Sequence, residues 1–441
     1  MAIANKLCLV AAGFALLLLL LGFVISSPMI WQPAAVVTGV AASIGFRAIP
    51  SLAGYQFTLW IMTAVVSALI YPSYFLHFGP YDLKLFQIPS IDLQNKWVIL
   101  IIVQLVMFGM GTKMGIRDFA GVAKMPYPVF IGVGLQFLIM PLMGYTLAKV
   151  FSFPPEIAAG VVLIGSCSSG LASNVMCYLA GANLALSITL TAVATLLAPI
   201  ATTFWMQHLA GEFVEIDSLS MLGQIVKIVL VPIGAALLHD YLKYAPTFIK
   251  NTIAAFAVIC GLFCVLIGIN SFLLTDSFAI PLSPAFLEGL VIFCAAVAFA
   301  VTYHVIANRL LWIEENMHLI SMFGIIFFTA VTTAAGRDNL LVAGMVLFLA
   351  AVIHNLSGYA LGYLMSRLAG LDKRSAITVG FEVGMQNGGM ASGIAGLMGK
   401  LGTVGLAAAV FSPWMNISGS LLANQIRRYN ESKAQNSYDI D

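Results

Sequence analysis

Runs of about 20 apolar residues, the length of a helix that crosses about 30 Å of hydrocarbon, recur along nearly the whole chain. The chain has 441 residues, of which 61% are apolar and only 9% are charged. Inside a bilayer the backbone must satisfy its own hydrogen bonds, and a helix does so within one segment. The sequence therefore predicts an all-α polytopic membrane protein.

The apolar runs predict thirteen transmembrane helices and leave a fourteenth open. The thirteen lie near residues 7–25, 56–76, 97–113, 127–148, 156–180, 184–209, 219–239, 251–273, 287–308, 317–335, 339–365, 376–398 and 402–424. The fourteenth segment, near 34–49, is short, rich in Ala and Gly, and followed by Pro50. No clear cleavage site follows the first run, so we expect a retained helix rather than a signal peptide.

The loops between the runs predict the orientation, because Lys and Arg are more frequent in cytoplasmic loops. If the span near 56–76 runs from inside to outside, twelve Lys and Arg fall on one side and five, including Lys84, on the other. This distribution predicts a multi-pass protein of the cell membrane with a cytoplasmic C-terminus. The N-terminus is outside with thirteen spans and inside with fourteen. The formal net charge of +2 gives no reason to expect nucleic acid as a partner.

A polar cluster interrupts an apolar run near the C-terminal end, at residues 380–390. It contains Glu382, Gln386 and Asn387 together with four glycines. A charge at bilayer depth is costly unless it is paired or bound to an ion, and glycines weaken the helix around it. Small residues alone would fit close helix packing, but packing needs no carboxylate. We therefore expect a cation at Glu382.

A second cluster, at residues 165–174, also lies within an apolar run and contains four serines and Asn174. Each cluster is followed by a span with a proline at a matching distance, Pro199 and Pro413. In the predicted topology the two spans that carry the clusters cross the membrane in opposite directions. Inverted repeats of this kind in secondary transporters pair two broken helices near the bilayer midplane. For the glycines of this second cluster, close helix packing is an equally good explanation.

Two further polar positions within spans are interpreted as structural. Lys227 lies well inside a span and could form an ion pair, but we expect its long stem to extend toward the membrane interface. His354 is expected to be a buried histidine with satisfied hydrogen bonds rather than a proton carrier.

Five stretches of the chain carry motifs that occur together in one family. They are MFGMG at residues 107–111, QFLIMP at 136–141, ASNVMCYLA at 172–180, EVGMQN at 382–387 and NISGSLLA at 416–423. With these motifs in this order, the chain resembles the bile acid:sodium symporter family. The resemblance implies ten helices in two inverted five-helix repeats, with a panel domain beside a core domain in which two broken helices cross.

The resemblance also divides the chain into family segments and additional ones. The predicted domains are an N-terminal extension (1–55), panel helices (56–125), core helices with the first broken helix (126–211), a panel helix (212–249), an inserted helix pair (250–310), a panel helix (311–337), core helices with the second broken helix (338–426) and a cytoplasmic tail (427–441). We expect the additional helices to flank the panel domain, where they could serve a homodimer or another partner.

The family's binding positions transfer to this sequence residue by residue. One Na⁺ site is implied at Ser173, Asn174, Ser187, Thr191 and Glu382. A second is implied at Gln136, Glu382, Val383, Met385 and Gln386, with main-chain carbonyls at the apolar positions. The substrate is expected near Ala172, Ser173, Asn387, Gly388, Met415 and Asn416. Hard cations prefer several oxygen ligands, which these residues offer.

Two departures from the family pattern bear on the substrate. Leu171 replaces a threonine of close relatives, and Met415 stands where some members have a histidine. The loss of a hydroxyl and an imidazole argues against bile acid itself. A small organic anion, either bile-acid-like or another carboxylate, is expected, because the exposed N–H groups of two half-helices favour a carboxylate.

The sequence thus predicts a secondary transporter that couples Na⁺ to the symport of a small organic anion by alternating access. Na⁺ is the coupling ion, the lipid bilayer is the surrounding partner, and no other cofactor is expected. Two alternatives stay open: proton coupling through Glu382, and a membrane sensor that binds such a ligand without moving it. An enzyme is not expected, because no nucleophile and base pair or metal-ligand cluster accompanies Glu382.

Overall fold

The computed structural model describes residues 2–49, 56–78, 91–273 and 283–438. Helices make up most of these ranges: α1 Ala2–Val24, α2 Pro28–Gly45, α3 Gln56–Ile70, α4 Pro72–Leu76, α5 Lys96–Gly111, α6 Ile116–Lys124, α7 Pro126–Val150, α8 Pro155–Ser166, α9 Leu171–Leu179, α10 Leu184–His208, α11 Ser218–Ile225, α12 Val231–Tyr244, α13 Thr247–Leu273, α14 Pro284–Arg309, α15 Leu311–Ala335, α16 Arg337–Leu368, α17 Lys373–Gly384, α18 Gly388–Leu397 and α19 Leu406–Tyr438. The strands β1 His77–Phe78 and β2 Ile91–Asp92 form one short antiparallel pair. The predicted all-α membrane class is confirmed.

The described helices do not divide into spans as simply as the apolar runs do. Nine of them are long and apolar enough to cross a membrane, or eleven if each of two bent pairs is one span. The segment near 34–49 is among the nine, because α2 continues into a 3₁₀ turn to Ala48. The difference from thirteen or fourteen arises at α3, which has only 15 residues, and at two helices that are interrupted. The number of spans therefore stays a prediction.

Some sequence expectations fall outside the described ranges. Lys84, which was counted in the orientation, lies within residues 79–90. The connection within the inserted pair, residues 274–282, and the chain end at 439–441 also lie outside the described residues. The orientation and the domain boundaries stay predictions.

Two interrupted helices meet at their breaks. Helix α8 ends at Ser166 and α9 begins at Leu171, while α17 ends at Gly384 and α18 begins at Gly388. The residues that follow α8 and α17 are extended, as the serine- and glycine-rich sequence favours. The backbone N–H of Asn387 donates to the Ser168 carbonyl at 2.8 Å, and Ser169 pairs with Gln386 in an antiparallel bridge. Each break thus satisfies part of the other's backbone.

Small residues bring neighbouring helices close to both interrupted helices. A Cβ on Gly144 of α7 would lie 2.7 Å from the Val161 carbonyl oxygen of α8, and one on Gly358 of α16 would lie 2.6 Å from the Gly384 Cα of α17. Gly393 and Gly396 of α18 similarly face Val103 and Ile99 of α5. Close packing therefore explains many of the glycines, whereas the carboxylate needs another explanation.

The inserted helix α14 packs against α12 and contacts α5. Phe108 of α5 contacts the rings of Phe299 and Tyr303 of α14, with centroids 4.9 Å apart in both pairs. Lys227 lies in a π-helical turn, Val226–Leu230, and forms an ion pair with Glu288 of α14 at 2.9 Å. Of the two roles open to Lys227, its contacts show the ion pair, and both side chains stay partly exposed. The pair does not exclude a stem that extends toward the membrane interface, which stays a prediction.

Candidate functional site

Glu382 lies in the last turn of α17, next to the second break, and is only 2% exposed. Its two carboxylate oxygens accept hydrogen bonds from four hydroxyl groups. Ser173 donates to Oε1 at 2.7 Å and Thr191 donates to Oε2 at 2.9 Å, and Ser187 and Ser169 also donate. Every nearby donor is a neutral hydroxyl, so no basic side chain compensates the carboxylate at these contacts.

Three segments of the chain deliver these hydroxyls. Ser169 belongs to the first break, and Ser173 lies in the first turn of α9. Ser187 and Thr191 are one turn apart on α10, so that both face the same side of that helix. The start of α10 is fixed by Asn183, whose side chain accepts from the Leu186 amide at 3.1 Å.

The hydroxyl groups meet more acceptors than they have hydrogens to donate. The Ser187 and Thr191 hydroxyls also lie 2.7 and 3.2 Å from Oδ1 of Asn174. A hydroxyl has one hydrogen, so each can satisfy either the amide or the carboxylate of Glu382, but not both. The surplus of oxygen lone pairs is the donor set that a hard cation prefers. All five residues predicted for the first Na⁺ site contact one another here.

The side-chain amides of Gln136 and Gln386 form a second polar group, which contacts both breaks. The Gln136 Nε2 donates to the Cys167 carbonyl at 3.1 Å and to Oε1 of Gln386 at 3.0 Å. Gln386 Nε2 in turn donates to the Val383 carbonyl at 2.7 Å. Oε1 of Gln136 is buried and has no hydrogen-bond partner among the described residues. A buried acceptor without a partner is destabilising, and it is an available cation ligand.

Not every predicted member of the second Na⁺ site enters this network. Gln136, Gln386 and Val383 are joined by hydrogen bonds, and Glu382 is adjacent in the chain. Met385 is fully buried and lies between Gly384 and Gln386, in extended backbone. Hydrogen bonds thus join three of the five predicted residues, Gln136, Gln386 and Val383. The other two, Glu382 and Met385, are their neighbours in the chain.

The predicted substrate positions form a looser group. Asn387 caps α18 by accepting from the Met390 amide at 3.0 Å. Gly388 packs against Ser412, whose carbonyl accepts from Asn416 Nδ2 at 2.8 Å. Ala172 is half-buried in the first turn of α9, next to the buried Ser173.

Within the described residues, the hydrogen bonds of Met415 do not involve the other predicted substrate residues. Its carbonyl accepts hydrogen bonds from the Tyr359 hydroxyl at 3.3 Å and the Ser418 hydroxyl at 3.2 Å. Tyr359 belongs to α16, so Met415 marks a contact between α16 and α19. No such contact joins Met415 to Asn387 or Gly388 among the described hydrogen bonds.

Two residues near Glu382 were not predicted. Ser169 donates to Oε2, although only its place in the serine-rich cluster pointed to it. Asn355 donates from Nδ2 to the Gly384 carbonyl at 2.8 Å, and its Oδ1 accepts from Ser418 at 2.6 Å. A polar residue within an apolar run was the signal for Asn355. His354 beside it bonds the Met140 carbonyl at 2.9 Å, as expected of a satisfied buried histidine.

Known proteins resemble the chain over most of its length. The model of the Sodium Bile acid symporter family matches residues 100–277. An uncharacterized sodium-dependent transporter of Bacillus subtilis, YocS, is 30% identical over 378 residues, which cover 86% of this chain and 92% of YocS. The chain belongs to the sodium bile acid symporter family. It is thereby a multi-pass membrane protein of a family of sodium-coupled transporters, which are not enzymes.

Other members of the family are more distant in sequence. The probable sodium/metabolite cotransporter BASS1 of Arabidopsis thaliana chloroplasts is 27% identical, over 84% of this chain and 73% of the relative. The human ileal sodium/bile acid cotransporter is 29% identical, over 66% of each chain. These names share sodium and differ in what is carried with it.

Proposed function

We propose that the protein is a Na⁺-coupled symporter that carries a small organic anion by alternating access. The observation that carries this proposal is the environment of Glu382: a buried carboxylate surrounded by hydroxyl and amide oxygens, with too few hydrogens to satisfy them. A monovalent cation supplies the positive charge that balances the carboxylate.

In the first Na⁺ site, Ser173, Asn174, Ser187, Thr191 and Glu382 hold the ion. Each hydroxyl rotates so that an oxygen lone pair faces Na⁺ and its hydrogen remains free for another acceptor. This removes the competition between the Asn174 amide and the Glu382 carboxylate for the same two hydroxyls.

In the second Na⁺ site, Gln136, Glu382, Val383, Met385 and Gln386 hold the ion, with main-chain carbonyls at the two apolar positions. Support comes from Oε1 of Gln136, a buried acceptor left without a partner. Glu382 is then shared between the two sites, and its single charge offsets part of both ionic charges.

The organic anion binds where the half-helices α9 and α18 begin. Their unsatisfied N–H groups favour an anion, and Asn387, Gly388 and Asn416 surround the start of α18. Na⁺ favours the substrate only through its differential affinity for the two conformations. Here it orders the break from which Asn387 projects, and that is how ion and substrate are coupled.

Alternating access needs two bodies that move relative to each other. We assign residues 126–211 and 338–426 to the core and residues 56–125, 212–249 and 311–337 to the panel. The inserted pair moves with the panel, because Glu288 and Phe299 of α14 contact Lys227 and Phe108. The C-terminus lies in the cytoplasm.

Uptake into proteoliposomes tests this proposal. Small carboxylates that raise the unfolding temperature only in the presence of Na⁺ are chosen first, and their labelled forms are then supplied with an inward Na⁺ gradient. Uptake that disappears when K⁺ replaces Na⁺ is the expected result. Equal uptake in K⁺ would contradict Na⁺ coupling, and uptake driven by a pH gradient alone would favour proton coupling. Binding of Na⁺ and ligand without flux would indicate a sensor.

A further inference from the structure

An apolar groove lies between α16, α17 and α19, on a face of the protein that the proposed transport site does not use. Its volume is about 540 Å³. The lining residues are Leu356, Tyr359, Ala360, Tyr363, Lys373, Ile377, Gly380, Phe381, Leu422, Gln425, Ile426, Tyr429 and Asn430. None of them belongs to α3, α5, α12 or α15. The groove is therefore separate from the contact between the proposed core and panel.

The groove changes from apolar to polar along its length. Phe381 lies at one end and Lys373 at the other, eight residues apart on α17, which is about 12 Å of helix. The end at Lys373 also carries Gln425, Tyr429 and Asn430. Such a gradient matches a molecule with an apolar chain and a polar head.

The polar end carries a positive charge that has no carboxylate partner among the described residues. Lys373 Nζ lies 5.0 Å from the centroid of the Tyr429 ring, and no carboxylate of the described residues is within ion-pair distance of it. Asp372 instead accepts from the backbone amides of Arg374 and Ser375, at 2.9 and 3.1 Å. Arg374 beside it does not line the groove, because its Nε donates to the Gly181 carbonyl at 3.1 Å. The charge of Lys373 therefore makes the mouth of the groove complementary to an anion.

We propose that this groove binds an anionic phospholipid of the surrounding leaflet, with an acyl chain along α17 and the headgroup at Lys373. Basic residues at the ends of membrane helices lie at headgroup level, where anionic lipids attract them. The exposure of the groove favours lipid over a soluble ligand, because Leu356 is 48% and Tyr429 is 59% exposed and the groove is open at the sides of α16 and α19.

The lipid also contacts the helix that carries Glu382. Phe381 in the wall of the groove precedes Glu382 in the chain. The Tyr359 hydroxyl in the same wall lies 3.3 Å from Ser418, Ser418 donates to Asn355, and Asn355 holds the Gly384 carbonyl at 2.8 Å. An acyl chain in the groove thus packs against the half-helix that ends at the second break.

Native mass spectrometry of the full chain tests the binding and does not depend on Na⁺ coupling. Phosphatidylglycerol and phosphatidylcholine with the same acyl chains are added at equal concentrations. Retention of phosphatidylglycerol in preference to phosphatidylcholine is the expected result. Equal retention of the two lipids would overturn the proposal, as would binding of a soluble fatty acid in place of either phospholipid.

Two variants and their controls locate the site. Lys373→Gln should lower the retention of phosphatidylglycerol about fivefold, the effect of one basic residue near an anionic surface. Ala360→Trp fills the groove with a ring and should abolish retention. Lys113→Gln and Ala255→Trp make the same changes at exposed positions outside the groove and should leave retention unchanged. Undiminished retention in Ala360→Trp with a wild-type unfolding temperature would overturn the proposal.

Discussion

The two helix breaks have similar geometry and different chemistry. Each follows a half-helix that ends in extended backbone, and each supplies a hydrogen-bond partner to the other. The first break offers neutral groups, with Ser169 and the nearby Ser173 in contact with the carboxylate. The second contributes the charge of Glu382 and the amides of Gln386 and Asn387. The comparison teaches that one break supplies adjustable ligands and the other supplies the charge.

The breaks are also held in different ways. At the first, neighbouring helices satisfy two successive carbonyls: Thr202 donates to Ser166 at 2.7 Å and Gln136 donates to Cys167 at 3.1 Å. At the second, Asn355 donates to Gly384. These side chains replace the backbone bonds that a helix terminus leaves open, which a bilayer interior cannot supply.

Removal of the charge should have the largest effect. Glu382→Gln keeps the shape of the side chain but leaves the cations without compensation. We expect the apparent Na⁺ affinity in proteoliposome uptake to fall about 100-fold or more, because loss of one partner of a buried charge pair costs about 3 kcal/mol. Glu215→Gln, at an exposed carboxylate, is the matched control and should behave as wild type. Normal Na⁺ dependence in Glu382→Gln would refute the role assigned to the second break.

The second largest effect is expected from removal of the Gln136 amide, whose Oε1 has no hydrogen-bond partner among the described residues. Gln136→Leu removes Oε1 together with the bonds from Nε2 to Cys167 and Gln386. The Na⁺ concentration for half-maximal uptake should rise about tenfold, consistent with one hydrogen-bonding group at a charged partner. Gln104→Leu is a control of the same type, since Gln104 Nε2 donates to the Lys227 carbonyl at 3.1 Å, away from Glu382. An equal effect of both substitutions would mean that only general packing was disturbed.

Two adjacent serines of the first break sharpen the comparison further. Ser169 contacts Glu382, whereas the Ser168 hydroxyl lies 3.3 Å from Thr195 and 3.9 Å from the Met390 sulfur. Ser169→Ala should weaken Na⁺ binding about fivefold, through loss of about 1 kcal/mol. Ser168→Ala should have a smaller effect on the same titration. If the order were reversed, Ser169 would not be a partner of the ion site.

The smallest effect on Na⁺ binding is expected for substitutions at the start of α17. Asp372 caps this helix, and a hydrogen bond from Ser375 is the main cause that lowers the pKa of its carboxyl group. A lowered pKa means that the contribution to stability is present above the ordinary pKa of aspartate and is lost as the pH falls through the lowered value.

Asp372→Ala should therefore reduce the free energy of unfolding by about 1 kcal/mol at neutral pH. Asp372→Asn should keep most of the cap and lose the pH dependence. Thermal unfolding between neutral and acidic pH measures both effects, and the Na⁺ affinity should be unchanged in either variant. A change in Na⁺ affinity would show that the start of α17 and the second break are not independent.

The sequence predicted the all-α class from the lengths of its apolar runs. It predicted the positions of the breaks because a carboxylate and amides within such a run have few structural explanations, whereas close packing accounts for many of the glycines. The family resemblance indicated Asn174, Ser187 and Thr191. In the structure Ser187 and Thr191 donate to Glu382, and Asn174 contacts both of these hydroxyls. The contact of Ser169 was not predictable, because it depends on how two distant breaks align. Asn355 was missed because its partners, the Gly384 carbonyl and the Ser418 hydroxyl, lie on helices far from it in the chain.

The number of membrane spans and the contacts of the inserted helix pair were harder to predict, because both depend on tertiary structure. An apolar run gives the length of a span but not its bends, such as the 58° angle between α5 and α6. The ion pair between Lys227 and Glu288 joins residues far apart in the chain, on a helix that the family resemblance did not cover. Tertiary contacts of this kind leave no local pattern in the sequence.

The most direct test of the central claim is the number of Na⁺ ions bound per chain, measured by equilibrium binding of radioactive sodium to the purified protein. The Na⁺ concentration is set so that it just saturates the wild type. If Glu382 is the ligand shared by both sites, the wild type should then bind two ions, Gln136→Leu close to one and Glu382→Gln close to none, with unfolding temperatures in K⁺ confirming that each variant is folded. Wild-type Na⁺ binding by a folded Glu382→Gln variant would contradict the account.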